Sequence, residues 1–97
     1  MNLENLYTRS GIKIKSYRAR IEVRLKPDHV DSEGLTTKRA LKDMGYNVEN
    51  VATAQIYEIT LKASSLGKAE KRADEMCRKM LANPVKDDYR IEVEETG

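Results

Sequence analysis

The chain has 97 residues and a mass of 11.1 kDa, enough for one domain with its own core and too little for two. One cysteine and one histidine exclude an internal disulfide framework and any zinc site made only of Cys and His. A net charge of +2, from 18 basic and 16 acidic residues, excludes a polyanion binder acting through overall charge, although the basic residues crowd into the first quarter of the chain.

No run approaches the ~20 apolar residues that cross a bilayer. The opening MNLENLYTRSG lacks the continuous hydrophobic core of a signal peptide. The expectation is a cytoplasmic protein with no membrane partner. Residues 1–15 have no clear period and read as an N-terminal extension, frayed or foreign to the fold, ahead of a single domain over 16–97. From Tyr17 a strand begins: Tyr17, Ala19, Ile21, Val23 and Leu25 alternate with Arg18, Arg20, Glu22, Arg24 and Lys26, and Pro27 closes it. Asp31 or Ser32 then caps a helix with Thr37, Ala40, Leu41 and Met44 on one face. Gly45 stands where a left-handed residue ends a helix, with Tyr46 placed to complete a Schellman motif.

Val48 to Thr53 reads as a weak strand, joined by a tight turn near Thr53 to Gln55 to a stronger one, Ile56 to Ala63. Ser64 or Ser65 caps a second helix whose stripe is Leu66, Ala69, Ala73, Met76, Cys77, Met80 and Leu81, with Asp74 and Arg78 paired on the wet side. Asn83-Pro84 stops it. Tyr89, Ile91 and Val93 mark a last strand. The order β-α-β-β-α-β predicts an α+β, ferredoxin-like split βαβ fold, an antiparallel sheet with two helices on one face. Right-handed crossovers put the first and third strands at its centre. The opposite face presents Arg18, Arg20, Arg24 and their neighbours Glu22, Glu58, Glu92 and Glu94.

Nothing in this pattern assembles a catalytic, cofactor or metal site. His29 lies among Asp28, Asp31 and Glu33, but acids at a helix start serve its dipole without further duty. Cys77 sits on an apolar stripe with no basic neighbour to activate it. The five glycines are isolated and form no phosphate loop. A ferredoxin-like sheet can bind RNA or a small ligand, yet RNA recognition needs aromatic rings on the central strands, and Arg, Glu, Thr and Lys stand there instead. Cross-strand ion pairs are the expected use of that charge, and no nucleic-acid partner is expected.

Particular residues add to this. Arg20 to Leu25, Lys26-Pro27, Val30-Asp31, Gly34, Thr36-Thr37, Ala40-Leu41 and Gly45-Tyr46, then Ala73, Met76-Cys77, Leu81-Ala82-Asn83-Pro84-Val85 and Tyr89-Arg90-Ile91-Glu92-Val93, together resemble the PurS family, the small subunit of phosphoribosylformylglycinamidine (FGAM) synthase, over residues 17–95. In two places the chain departs from the family pattern: Ser32 replaces a frequent proline, and Ala52-Thr53-Ala54-Gln55 replaces a frequent Arg-x-Gly-Lys. The resemblance implies a subunit of a glutamine-dependent ligase of purine biosynthesis with no active site or cofactor of its own. Its partners would be a glutaminase subunit, an ATP-dependent synthetase subunit and further copies of itself, as a dimer or tetramer. Asn83 and Pro84, at the rigid exit of the second helix, and Arg18, Arg20 and Arg24 are the candidate interface residues.

Overall fold

The computed structural model describes residues 13–96, and the expected N-terminal extension therefore lies almost wholly outside the described residues. Five regular elements follow: β1 (Lys15–Leu25), α1 (Ser32–Asp43), β2 (Gln55–Ala63), α2 (Leu66–Met76) and β3 (Asp87–Glu95). Lys15, assigned to the extension, opens β1 by pairing with Ala63. The sheet is antiparallel with order β2-β1-β3. β1 takes the centre because its alternation gives it one fully buried side: Tyr17, Ala19, Ile21 and Val23 are buried, while Arg18, Arg20 and Arg24 are exposed. Register follows the same parity, with Ile21 opposite Tyr57 on one side and Ile91 on the other.

α2 covers the buried side. Ser65 caps it by accepting a hydrogen bond from the Lys68 N–H at 3.2 Å. Ala69, Ala73 and Cys77 recur every four residues and have no exposure, so the helix can lie close on the central strand. Ala73 and Cys77 join Ala19, Ile21, Val23 and Ala82 in one core, and Ala69 joins Tyr17 and Ala63 in a smaller one. The Tyr89 hydroxyl donates to Asp74 Oδ1 at 2.6 Å and ties α2 to β3, while Arg78 bonds the other oxygen at 2.7 Å. Both bonds hold the Asp74 carboxyl below its usual range, and the first pushes the Tyr89 phenol up.

The end of α2 departs from the expected stripe. Residues Cys77–Leu81 form a π turn, closed by the Ala82 N–H to the Cys77 carbonyl at 2.9 Å. The extra residue in that turn shifts the helical phase. Leu81 stays against the core, and Met80, expected on the stripe, is 85% exposed.

The α+β class, with an antiparallel sheet and two helices, stands as expected, with two corrections inside it. Val48 to Thr53 is not a strand, and no tight turn joins it to β2: residues 50–54 have no regular structure. Val48, Val51 and Thr53 there favour a strand, but Glu49-Asn50 separates the valines and the Thr53 N–H is taken by a side chain. β2 is consequently an edge strand rather than a central one. The second correction concerns the helices, of which only α2 lies on the sheet. α1 forms as its local signals dictate, with Asp31 as N-cap and a complete Schellman ending at Gly45 (φ +95°): Tyr46 N–H to Leu41 O at 3.1 Å and Gly45 N–H to Lys42 O at 2.9 Å. Yet its single buried residue is Gly34, and Met44 is 70% exposed. A longest strand of 11 residues runs about 36 Å, whereas the molecule extends 60 Å by 28 Å by 16 Å, so elements beyond the sheet ends account for its length.

Candidate partner interface

The three arginines of β1 share the sheet face away from α2, and each has an acidic partner there. Arg18 bonds Glu94 at 2.9 Å across to β3, and Arg20 bonds Glu58 at 3.0 Å across to β2. Arg24 bonds Glu22 along its own strand, which holds the Glu22 carboxyl below its usual range. Arg90 and Glu92, on β3, pair at 2.9 Å. Apart from Glu22, which is partly covered, these side chains are substantially exposed to solvent, so the pairs contribute little to stability and chiefly leave the face polar. Among the described residues no aromatic ring interrupts it: the tyrosines of the sheet, Tyr17, Tyr57 and Tyr89, all lie on the α2 side, packed in or against the core.

Asn83 and Pro84 lie together at the corner between α2 and β3, both exposed. Asn83 organises that corner. Its Oδ1 accepts from the Val85 N–H at 2.9 Å, its own N–H donates to Asp87 Oδ2 at 2.9 Å, and its carbonyl accepts from the Lys86 and Asp87 N–H groups at 3.1 and 2.8 Å. Pro84 cannot donate, which suits a position where the chain leaves the helix. The rigid corner carries Met80 and Val85, which are 85% and 76% exposed. Asn83 thus holds the turn, and the apolar surface beside it belongs to its neighbours.

A cleft of about 750 Å³ separates this corner from the start of α1, lined among others by Val30, Asp31, Thr53, Met80 and Asn83. Asp31 is its most engaged side chain. Oδ1 accepts from the Gly34 N–H at 2.9 Å as the helix cap, and Oδ2 accepts from the Thr53 N–H at 2.6 Å. The Thr53 hydroxyl lies 2.9 Å from both oxygens. The Gly34 and Thr53 amides, against the opposing effect of desolvation, hold this carboxyl below its ordinary range. The Val51 carbonyl comes so near Gly34 that any side chain there would strike it. Thr53 belongs to the very segment that departs from the family pattern.

The sequence places Asp31 as a cap and Thr53 in a turn but does not bring them together. The available signal was that a capping carboxylate has a second oxygen to satisfy, with a glycine three residues on that permits a close approach.

The two side chains best suited to chemistry, Cys77 and His29, are both otherwise engaged. Cys77 is fully buried, and that burial pushes its thiol up, away from the nucleophilic thiolate. His29 Nδ1 lies 3.1 Å from Asp28, while Asp31 is committed to its own donors. Among the described residues no group of three or more His, Cys, Asp or Glu is placed to hold a metal ion, and no helix is long and apolar enough to cross a membrane.

A family model described as phosphoribosylformylglycinamidine (FGAM) synthase, PurS, matches residues 18–95. The FGAM synthase subunit PurS of Methanocaldococcus jannaschii is 39% identical over 79 residues, covering 80% of this chain and 95% of that relative. The corresponding subunit of Bacillus subtilis is also 39% identical, over 80 residues, covering 81% and 94%. The crystal structure of M. jannaschii PurS, described as one of the subunits of formylglycinamide ribonucleotide amidotransferase, matches with a TM-score of 0.77 at 38% identity, over 84% of this chain and 99% of that one. A chain in the structure of PurLQS from Thermotoga maritima matches at 0.73 and 26% identity, over 84% and 98%. The chain therefore belongs to the PurS family of FGAM synthase.

Proposed function

We propose that the chain is the non-catalytic, structural subunit of FGAM synthase in purine biosynthesis. It acts in the cytoplasm, joins the glutaminase and ATP-dependent synthetase subunits, and supports transfer of ammonia between them. One observation carries the reading: α1 is fully formed and capped at both ends, yet the only residue it buries is Gly34, and most of its apolar side chains face outward. A helix of 12 residues is marginal alone in water and draws its stability from packing. A surface outside this chain supplies that packing. For the face bearing Leu41 and Met44 we assign it to a second copy. A two-fold contact lets each copy cover the other's helix and satisfies both exposed faces at once. The larger subunits then meet the corner at Asn83 and Pro84, through Met80 and Val85, and the face of Arg18, Arg20 and Arg24, whose ion pairs can exchange partners at little cost.

Mixing the purified chain with the two larger subunits tests this. Glutamine-dependent synthesis should require the chain, and ammonia-dependent synthesis should not. Equal glutamine-dependent rates with and without it would refute the role. The RNA-binding alternative gains no support, since among the described residues the open face carries no stacking rings and its β1 arginines are already paired.

A further inference from the structure

β1 and β2 pair as far as Val23 opposite Gln55, and beyond that point the two chains part. β1 runs two residues further along β3 alone, then leads into α1, and the chain returns through residues 44–54. Among the described residues, apart from the bonds of the Schellman turn at residues 44–46, the hydrogen bonds that join the outgoing segment to the returning one all end on a single carboxylate, that of Asp31. It takes Gly34 from one side and Thr53 from the other, so both oxygens are used and the two segments are held in one plane of contacts. The close approach of the Val51 carbonyl to Gly34 fixes their separation at the same place. No apolar core does this work, because Gly34 is the only buried residue of α1.

We propose that Asp31 is a latch: by gripping Thr53 it closes residues 31–53 into one lobe and presets the direction in which α1 projects from the sheet, before any partner arrives. The latch deepens the reading of α1 as the association element, because an arm already set in direction loses less freedom on docking than a swinging one. The amides that hold Asp31 also keep it ionised at neutral pH, and the charged form is the one that accepts from every donor present.

Spin labels at Arg39→Cys on α1 and Lys62→Cys on β2 read the direction of the lobe directly. Both positions are exposed, Cys77 is buried, and an excess of unlabelled chain removes signals between copies. The unaltered latch should give one narrow distance distribution. Asp31→Ala should at least double its width while amide exchange in β1 stays as it was. Thr53→Ala, which leaves the Gly34 cap intact, should broaden it less. A narrow distribution at the original distance in Asp31→Ala overturns the latch, as does a broad one in the unaltered chain. Faster exchange throughout the sheet in both variants would also overturn it, by making Asp31 a general stabiliser. Sedimentation of the same samples separates the two ideas: a broadened lobe with undiminished self-association keeps the latch and removes α1 as the association element.

Discussion

Alanine in place of Gly34 should open the α1 lobe, although alanine is by nature the better helix former. The intrinsic gain is at most about 1 kcal/mol. Against it stands the added methyl group, which would fall far inside contact distance of the Val51 carbonyl oxygen and 2.8 Å from Asp31 Oδ2. Restoring ordinary contact needs the carbonyl to retreat by roughly 1 Å. The displacement carries Thr53, two residues on, out of its 2.6 Å bond to Asp31. Overpacking of this kind costs about 1–3 kcal/mol, so the clash outweighs the propensity by up to about 2 kcal/mol, a shift of up to roughly 30-fold in the fraction of open lobes. Amide hydrogen exchange resolves the outcome by element: α1 and residues 46–54 should exchange that much faster, with β1 and α2 unchanged. Exchange in α1 that is unaltered or slower, with a raised melting temperature, would mean that Gly34 is merely tolerated and that the contact with Val51 carries no strain.

Cys77 should resist thiol reagents in the folded chain and react fully only in denaturant, since it is buried and its thiol is pushed above its ordinary 9.0; rapid labelling under native conditions would contradict the packing of α2. Asp31 and Asp74 both have folded pKa values below their ordinary 3.8, so their stabilisation is complete above about pH 4 and is lost as pH falls through the lower folded values. Tyr89, raised above 10.0, stabilises below about pH 10 and ceases to as pH rises through its folded value. Melting temperature against pH should thus fall at both ends, and a rise on acidification below pH 4 would refute the assignment. Met80→Asp should leave the melting temperature within a few degrees of the original, since the side chain is 85% exposed, while weakening assembly with the larger subunits. Asn83→Ala should do the reverse, loosening the turn it bonds and sparing assembly as long as Pro84 holds the corner.

The sheet and its covering helix were legible because both obey periods a single segment displays. Tyr17 to Val23 alternate, Ala69, Ala73 and Cys77 recur every four residues, and the structure buries those seven positions. Caps were legible for the same reason: Asp31 before α1, Ser65 before α2, and Gly45-Tyr46 at a Schellman ending act over three to five residues. The π turn was not, because inserting one residue into a helical phase leaves no mark on composition, and Met80 looks as apolar outside the stripe as in it. The ion pairs of Arg18 and Arg20 followed from strand parity, but the choice of Arg24 for Glu22 on its own strand did not.

α1 shows where local reasoning stops. Every rule that makes a helix is obeyed between Asp31 and Tyr46, and a face of Leu41 and Met44 at helical spacing reads as a core face. Periodicity says that such a face is to be covered and is silent on whether the cover belongs to the same chain. The same holds for the segment from Val48 to Thr53, whose strand character went unanswered within the chain, leaving β2 at an edge. The two discrepancies therefore fall together: at this end of the molecule a single copy leaves both the face of α1 and the edge of β2 uncovered. What the chain does supply there is positional, a carboxylate joined to Gly34 and Thr53 that brings the two arms of the lobe together. A subunit whose work is to hold others in place needs its own docking element held first, and Asp31 does so without an apolar core that would hide the surface to be shared.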